Sequence, residues 1–313
     1  MKYYLGVTDN SWFDFLSRRN PEDINFWQPS GNSVFKALQQ GAPFFFKLKR
    51  PRNHIGGVGF FSSHTTLPLS IAWDTFKERN GTATYAELQS LIQNYRQDRQ
   101  STNPVIGCIV LTDPIFFHEK DWLPAPPDWG KSIVQGKGYD SSSLDGRFLW
   151  ERLEELIYRY TLNRADERRK DILIAEEDRA LYGNPLLRKV RLGQGAFRVL
   201  VTDAYQRRCG ITGEKTLPVL EAAHIKPYSE SGPHALTNGL LLRSDMHKLF
   251  DSGYLTITTN LKIEISGRIR EEFQNGKEYY KYHGSLLQHL PVNPNNLPEE
   301  QFIRWHNENI FRA

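Results

Sequence analysis

One stretch constrains this chain more than any other: EAAHIKPYSESGPHALTNGLLLRSDMHKLFDSG, residues 221–253. The strand-like run VLEAAHI (219–225) ends near a histidine, and a loop rich in Ser, Gly and Pro follows. An asparagine stands 14 residues after that histidine, and a second histidine 9 residues further on falls at the start of a helix that begins near Ser244. Strand, loop and helix thus follow in that order, punctuated by His224, Asn238 and His247.

The residue types suit phosphodiester hydrolysis. That reaction needs a base to activate water, a cation to absorb developing charge, and a group that holds the base in its productive tautomer. The ordinary imidazole pKa near 6.5 lets His224 accept a proton at neutral pH. The Asn238 amide can orient the imidazole or the metal loop without adding a charge. His247 can offer a ring nitrogen to a divalent cation, and Asp251, four residues on, shares its helical face.

Composition is permissive. In 313 residues, 39% are hydrophobic, 24% charged and 12% aromatic, the profile of a globular chain rather than a disordered or membrane-embedded one. The length suits two domains. Two cysteines without a CxxC pair predict neither a disulfide framework nor a zinc knuckle. The start MKYYLGVTDNSWFDF lacks a secretory layout, and no run is long and apolar enough for a bilayer, so a cytoplasmic location and no membrane partner are expected. A net charge of +4 favours a polyanionic partner only weakly.

Short apolar runs, PFFFKLK (43–49), IGGVGFF (55–61) and PVIGCIVLT (104–112), predict strands in the first 135 residues. TATYAELQSLIQNYRQ (82–97) predicts a helix with Thr84 as N-cap. Pro, Gly and Ser concentrate over 123–143, where a domain end is expected. Beyond it, FLWERLEELIYRY (148–160) and the charged 164–183 have helical composition, another short helix is expected from about Ala196 to Tyr205, and YLTITTNLKIEIS (254–266) alternates like a hairpin.

The 221–253 segment resembles the HNH (ββα-metal) endonucleases, specifically the branch with an AAHI strand and an NGLLLR(S/A)D(M/L)HxLFD helix found in restriction-type nucleases; the match covers about residues 205–260. The resemblance implies a general base at His224, the middle Asn at Asn238 and a metal-binding His at His247. Many members carry Asp or His just before the base, where this chain has Ala223. Asp251 is the first candidate for the missing ligand and Glu221 the second, and carboxylates there suit Mg²⁺ or Mn²⁺ better than Zn²⁺. Asp251 could instead cap the helix or pair with Lys248 or Arg243. Cys209 and Thr212 occupy a place where relatives often keep half of a zinc knuckle. His234 is expected in a solvated loop, and His283 to be structural.

Arg188, Lys189, Arg191, Arg198, Arg207 and Arg208 precede the motif, and Lys226, Arg243 and Lys248 lie within it. They either contact DNA phosphates or form an ordinary solvated basic face. The first 135 residues resemble, through the order of their elements, the PUA-like barrels of the EVE type that read modified bases. A flipped base needs aromatic faces and polar groups for its edge. The candidates are Trp27, Phe61, Trp73 and Trp122, with Ser30, Ser62 and Asp113; burial in a core competes for each ring. Lys47, Lys49, Arg50 and Arg52 would touch the DNA backbone beside such a pocket.

The expected fold is α+β: a PUA-like β-barrel with helices (1–135), a helical linker (136–190), a ββα-metal nuclease domain (191–285) and a tail packed on it (286–313). The expected activity is modification-dependent cleavage of double-stranded DNA carrying methyl-, hydroxymethyl- or glucosylated cytosine, by base flipping, with Mg²⁺ or Mn²⁺ and as a homodimer. Recognition of unmodified sequence or of another modification, and a decayed site that only binds DNA, remain alternatives.

Overall fold

The computed structural model describes residues 1–32, 34–96, 101–130, 132–171 and 192–313, without the side chains of 163–171. The chain forms two compact units, Met1–Arg191 and Leu192–Ala313. Part of the expected helical linker, together with Arg188, Lys189 and Arg191, lies outside the described residues.

The first unit contains β1 (Lys2–Thr8), α1 (Asn10–Ser17), β2 (Asp23–Gln28), β3 (Pro43–Leu48), β4 (His54–Pro68), α2 (Leu69–Phe76), α3 (Tyr85–Tyr95), β5 (Val105–Phe116), β6 (Leu123–Pro124), β7 (Gly136–Asp140) and α4 (Leu144–Asp171). Its seven strands form one sheet in the order β2-β5-β4-β3-β1-β7, with β6 on β4. Only β1 and β3 run parallel; the other pairs are antiparallel. The order is an open one, where a barrel was expected: among the described residues no pairing joins β2 to β7.

The consecutive aromatics of β3 are explained by burial on both faces. Phe45 packs with Tyr3, Leu5, Val58 and the α4 residues Trp150, Leu153 and Ile157. Phe44, Phe46 and Leu48 face the other way, onto Trp12, Phe13 and Leu16 of α1. Asp9 caps α1 by accepting from the Ser11 and Trp12 amides, and Thr84 caps α3 through the Glu87 amide, as its sequence predicts.

The expected domain end near residue 135 falls inside this unit. Gly136–Asp140 pairs with β1, and the apolar stripe of α4 closes the core of this unit. Pro and Gly punctuate 123–143 because the chain turns there to add an edge strand.

The second unit contains α5 (Gln194–Ala204), β8 (Leu220–His224), β9 (Gly239–Arg243), α6 (Ser244–Asp251), β10 (Leu255–Ile257), β11 (Ile263–Ile265), α7 (Arg268–Phe273), α8 (Lys277–Tyr280) and α9 (Glu300–Asn309). Both of its sheets, β8-β9 and β10-β11, are antiparallel two-stranded ribbons. Such ribbons are marginal alone, so their stability comes from packing. Phe197 and Val201 of α5, Leu240 and Leu242 of β9, Met246 and Phe250 of α6 and Phe302 and Ile303 of α9 share one core. Each such side chain contributes about 1.5–3 kcal/mol by leaving water. Residues 286–313 thus supply core through α9 rather than forming a mere tail.

Gly239 allows the closest approach in this core. A Cβ there would meet Val201 Cγ2 at 2.5 Å and Phe197 Cε2 at 3.2 Å. Its absence seats α5 against the ribbon and brings Phe197 to His224, which pairs with Gly239 in register.

Candidate active site

β8, β9 and α6 follow one another as a ββα unit, with the 225–238 loop between the strands. His224 ends β8 and its ring stacks on Phe197, centroids 3.9 Å apart and planes at 11°. His224 Nε2 lies 2.8 Å from His234 Nδ1. Burial, reinforced by the nearby His234 and His247 rings, pushes the His224 pKa down to about 4. The imidazole is therefore neutral near pH 7, as a proton acceptor must be.

Asn238 is fully buried. Its Oδ1 accepts from the Lys226 amide at 2.9 Å, while Nδ2 donates to the carbonyls of Lys226 at 2.9 Å and Pro233 at 3.0 Å. The start of the loop at Lys226 and its interior at Pro233 are thereby pinned to the residue before β9. Only an amide of this length can both donate and accept here.

On α6, Met246 and Phe250 are buried, which turns His247 and Asp251 outward on a neighbouring face. His247 Nδ1 lies 2.6 Å from Glu221 Oε2, and His247 Nε2 lies 3.2 Å from Asp251 Oδ2. Burial raises the Asp251 pKa; the His247 ring counters this and the Glu221 carboxylate adds to it. Glu221, His224, His247 and Asp251, with Phe197 and Arg198, line one cavity of about 460 Å³. Ala223 instead lies in the core, which explains why that position carries no ligand-type side chain.

The donors fit a hard divalent cation in kind: two half-exposed carboxylates flank one imidazole, and burial, with the acidic neighbour adding to it, disfavours the Asp251 carboxyl as an anion. Their present arrangement is a carboxylate–imidazole–carboxylate chain. Among the described residues no three such groups are gathered around a single point. Asp251 bonds His247, not Lys248 or Arg243.

His234 overturns its sequence expectation. It stacks on Tyr228, centroids 4.5 Å apart and planes at 12°, and meets the His224 ring rather than open solvent. Phe197, Tyr228 and His306 also line the cavity unforeseen. No periodicity marks them, because loop closure and the α5 and α9 contacts bring them in. His283 is structural as expected, its Nδ1 accepting from the Ile265 amide at 3.1 Å.

The basic candidates divide. Arg198 lines the cavity and Lys248 is exposed. Lys226 holds its ammonium 5.4 Å from the Trp305 ring centroid, and Arg208 is half-buried. Arg243 is committed to Asp245 through bonds of 2.6 and 2.7 Å, and Arg207 pairs with Asp203 at 3.4 Å. Cys209 Sγ accepts from the amides of Thr212 and Arg243 at 3.4 and 3.2 Å, so the knuckle-like turn stands on hydrogen bonds.

In the first unit the expected base pocket does not assemble as a group. Trp27 and Ser30 line a cavity of about 450 Å³ with Phe26, Gln28, Lys49 and Tyr95. Phe61 is core, Trp73 packs on Tyr85, and Trp122 packs on Phe13. Ser62 is buried, and Asp113 sits where the β5 backbone turns to a φ of 46°. None of these five lines the cavity: Phe61 is taken up by the packing of the sheet, Trp73 by the contact of α2 with α3, and Trp122 by α1. Lys47 is likewise buried and bonded to Asn53 at 2.6 Å, and Arg52 grips Asp14 at 2.7 and 2.9 Å. Lys49 binds the Tyr95 hydroxyl at 2.7 Å and Asp9 at 3.2 Å, while Arg50 precedes a cis proline.

A ββα unit with a histidine at the strand end and, on its helix, an imidazole between two carboxylates is the arrangement that the HNH resemblance of this segment implies. Residues 209–258 match the family described as HNH endonuclease, so the second unit contains a DNA endonuclease domain. HNH endonucleases generally work with a divalent metal ion. No curated protein matches the chain.

Among solved structures, the chain is similar to a modification-dependent restriction endonuclease, TagI, at 26% identity over 39% of this chain and 39% of that one, with a TM-score of 0.28. It thus spans well under half of that structure's length. It is also similar to an ASCH protein from Zymomonas mobilis, at 9% identity over 38% of this chain and 76% of that one, with a TM-score of 0.27.

Proposed function

We propose that this chain is a modification-dependent restriction endonuclease that cuts double-stranded DNA bearing methyl-, hydroxymethyl- or glucosylated cytosine. The observation that carries the nuclease half is the single cavity shared by neutral His224 and the Glu221–His247–Asp251 chain. His224 takes the proton from a water attacking the scissile phosphorus, and the bond to the leaving oxygen breaks in line with that attack. Glu221, His247 and Asp251 would hold a Mg²⁺ or Mn²⁺ ion, which would supply charge stabilisation to the phosphate and the leaving oxygen. Arg198, Lys226 and Lys248 contact backbone phosphates, giving salt-sensitive affinity.

Support for the reader half comes from the aromatic cavity of the first unit. Trp27 and Tyr95, with ring centroids 6.0 Å apart, offer π-faces to a flipped base, and Ser30 and Gln28 offer polar groups to its edge. One such nuclease site cuts one strand, so a homodimer supplies the second cut.

Digestion of matched unmodified, methylated, hydroxymethylated and glucosylated DNA by the full chain tests this function. Cleavage confined to one or more modified substrates is expected, with Trp27→Ala losing that preference. Equal cutting of all four overturns the modified-base reading.

A further inference from the structure

The catalytic motif leaves one histidine without a role, and its contacts are more specific than those of a loop residue. His234 stands on the segment that Asn238 anchors: Asn238 Nδ2 holds the carbonyl of Pro233, the residue immediately before it, at 3.0 Å. Tyr228 fixes the plane of its ring, as Phe197 fixes that of His224. The two imidazoles then meet at 57°, with 2.8 Å between His224 Nε2 and His234 Nδ1.

We propose that His234 is a positioning residue that fixes the tautomer of His224, accepting the Nε2–H of His224 at its own Nδ1 and leaving His224 Nδ1 as the basic nitrogen. This rests on the reading of His224 as the general base.

A neutral imidazole has one N–H and one lone pair. Two arrangements of the pair are possible. If His234 donated from Nδ1, the His224 Nε2 lone pair would be occupied; the proton would sit on His224 Nδ1, and no nitrogen would remain to accept one from water. With His224 donating, Nδ1 keeps its lone pair. When it takes the proton from water, the ring becomes an imidazolium whose Nε2–H still points at His234 Nδ1, now as a stronger, charge-assisted bond. No proton needs to cross between the rings. The same geometry gives Asn238 a function at a distance, since its amide sets the loop that carries His234.

Two substitutions separate the hydrogen bond from the packing. His234→Phe keeps a ring on Tyr228 but has no acceptor; His234→Asn restores an acceptor oxygen near the Nδ1 position. In nicking assays on the full chain, His234→Phe is expected to lower kcat about 10- to 100-fold with KM unchanged, and His234→Asn to stay within about 3-fold of the parent. Imidazole ¹⁵N shifts of His224 should report Nε2–H in the parent and in His234→Asn, and a mixture of tautomers in His234→Phe.

An unchanged kcat and tautomer in His234→Phe would overturn the inference, as would an equal loss in both variants at equal thermal stability. His224→Ala distinguishes this from failure of the underlying reading. If that variant remains active, His224 is not the base; if it is inactive while His234→Phe is unimpaired, only the role of His234 is lost.

Discussion

Asn238 offers the sharpest test of how the site is built. Its buried amide makes three hydrogen bonds, at 2.9, 2.9 and 3.0 Å, all to the backbone of one loop, at Lys226 and Pro233. Asn238→Ala removes them, taking these partners from the Lys226 amide and carbonyl and leaving the Pro233 carbonyl with the Ala235 amide alone. At about 0.5–1.5 kcal/mol net for each bond, the loss is about 2–4 kcal/mol, or roughly 8–15 °C for a unit of this size. Asn238→Asp is nearly isosteric and still accepts from Lys226, yet its second oxygen faces two carbonyl oxygens without a proton to offer. An unpaired buried carboxylate costs several kcal/mol, so at pH 7 the Asp variant should melt below the Ala variant. The order should close as pH falls, because a protonated carboxyl donates to one carbonyl. Calorimetry of the full chain, with amide exchange over 226–233 to locate the effect, reads both. An Asp variant as stable as the parent at pH 7, or an Ala loss under about 0.5 kcal/mol, would show that the amide does not hold the loop.

Further outcomes concern pH and metal. Burial holds His306 at about 4 despite its bond to the Phe250 carbonyl, and burial with like charges does the same to His224, whereas the unfolded value is near 6.5. The native state thus selects the neutral rings: their contribution to stability is complete above pH 6.5 and is lost as pH falls from 6.5 towards 4. His306, only 2% exposed, accounts for about 3 kcal/mol of this swing, and half-buried His224 for less. His306→Phe should therefore flatten the slope of stability against pH across that window in urea melts, and an unchanged slope refutes it. Glu221→Gln and Asp251→Asn should each raise the Mg²⁺ or Mn²⁺ concentration for half-maximal nicking about 10-fold. Calorimetric titration of metal into the parent and both variants checks the cause, and unchanged affinity in both removes the carboxylates from the ligand set.

What the sequence reveals about this site follows from the range over which its interactions act. The Thr84 cap, the 254–266 hairpin and the His247–Asp251 pair are local, set by side chains within four residues of one another or by simple alternation, and each forms where its pattern predicts. Glu221 next to His247 is one step less local, yet the β8-β9 register that brings it there follows from a short antiparallel pair leading straight into α6. His234, Phe197 and His306 reach the same cavity from a loop, from α5 and from α9, and only the closed core decides that. The first unit gives the converse case. Phe61, Trp73 and Trp122 have the chemistry of a base-stacking site, but the sheet core, the α2–α3 contact and α1 take them up in turn, and Tyr95, from a helix with no binding motif, stands beside Trp27 instead. Residue type thus narrows the reaction class, whereas the members of a pocket are set by which side chains packing leaves uncovered. A search for base-reading groups in this chain should accordingly begin from the half-exposed rings at Trp27 and Tyr95, not from the most aromatic strand.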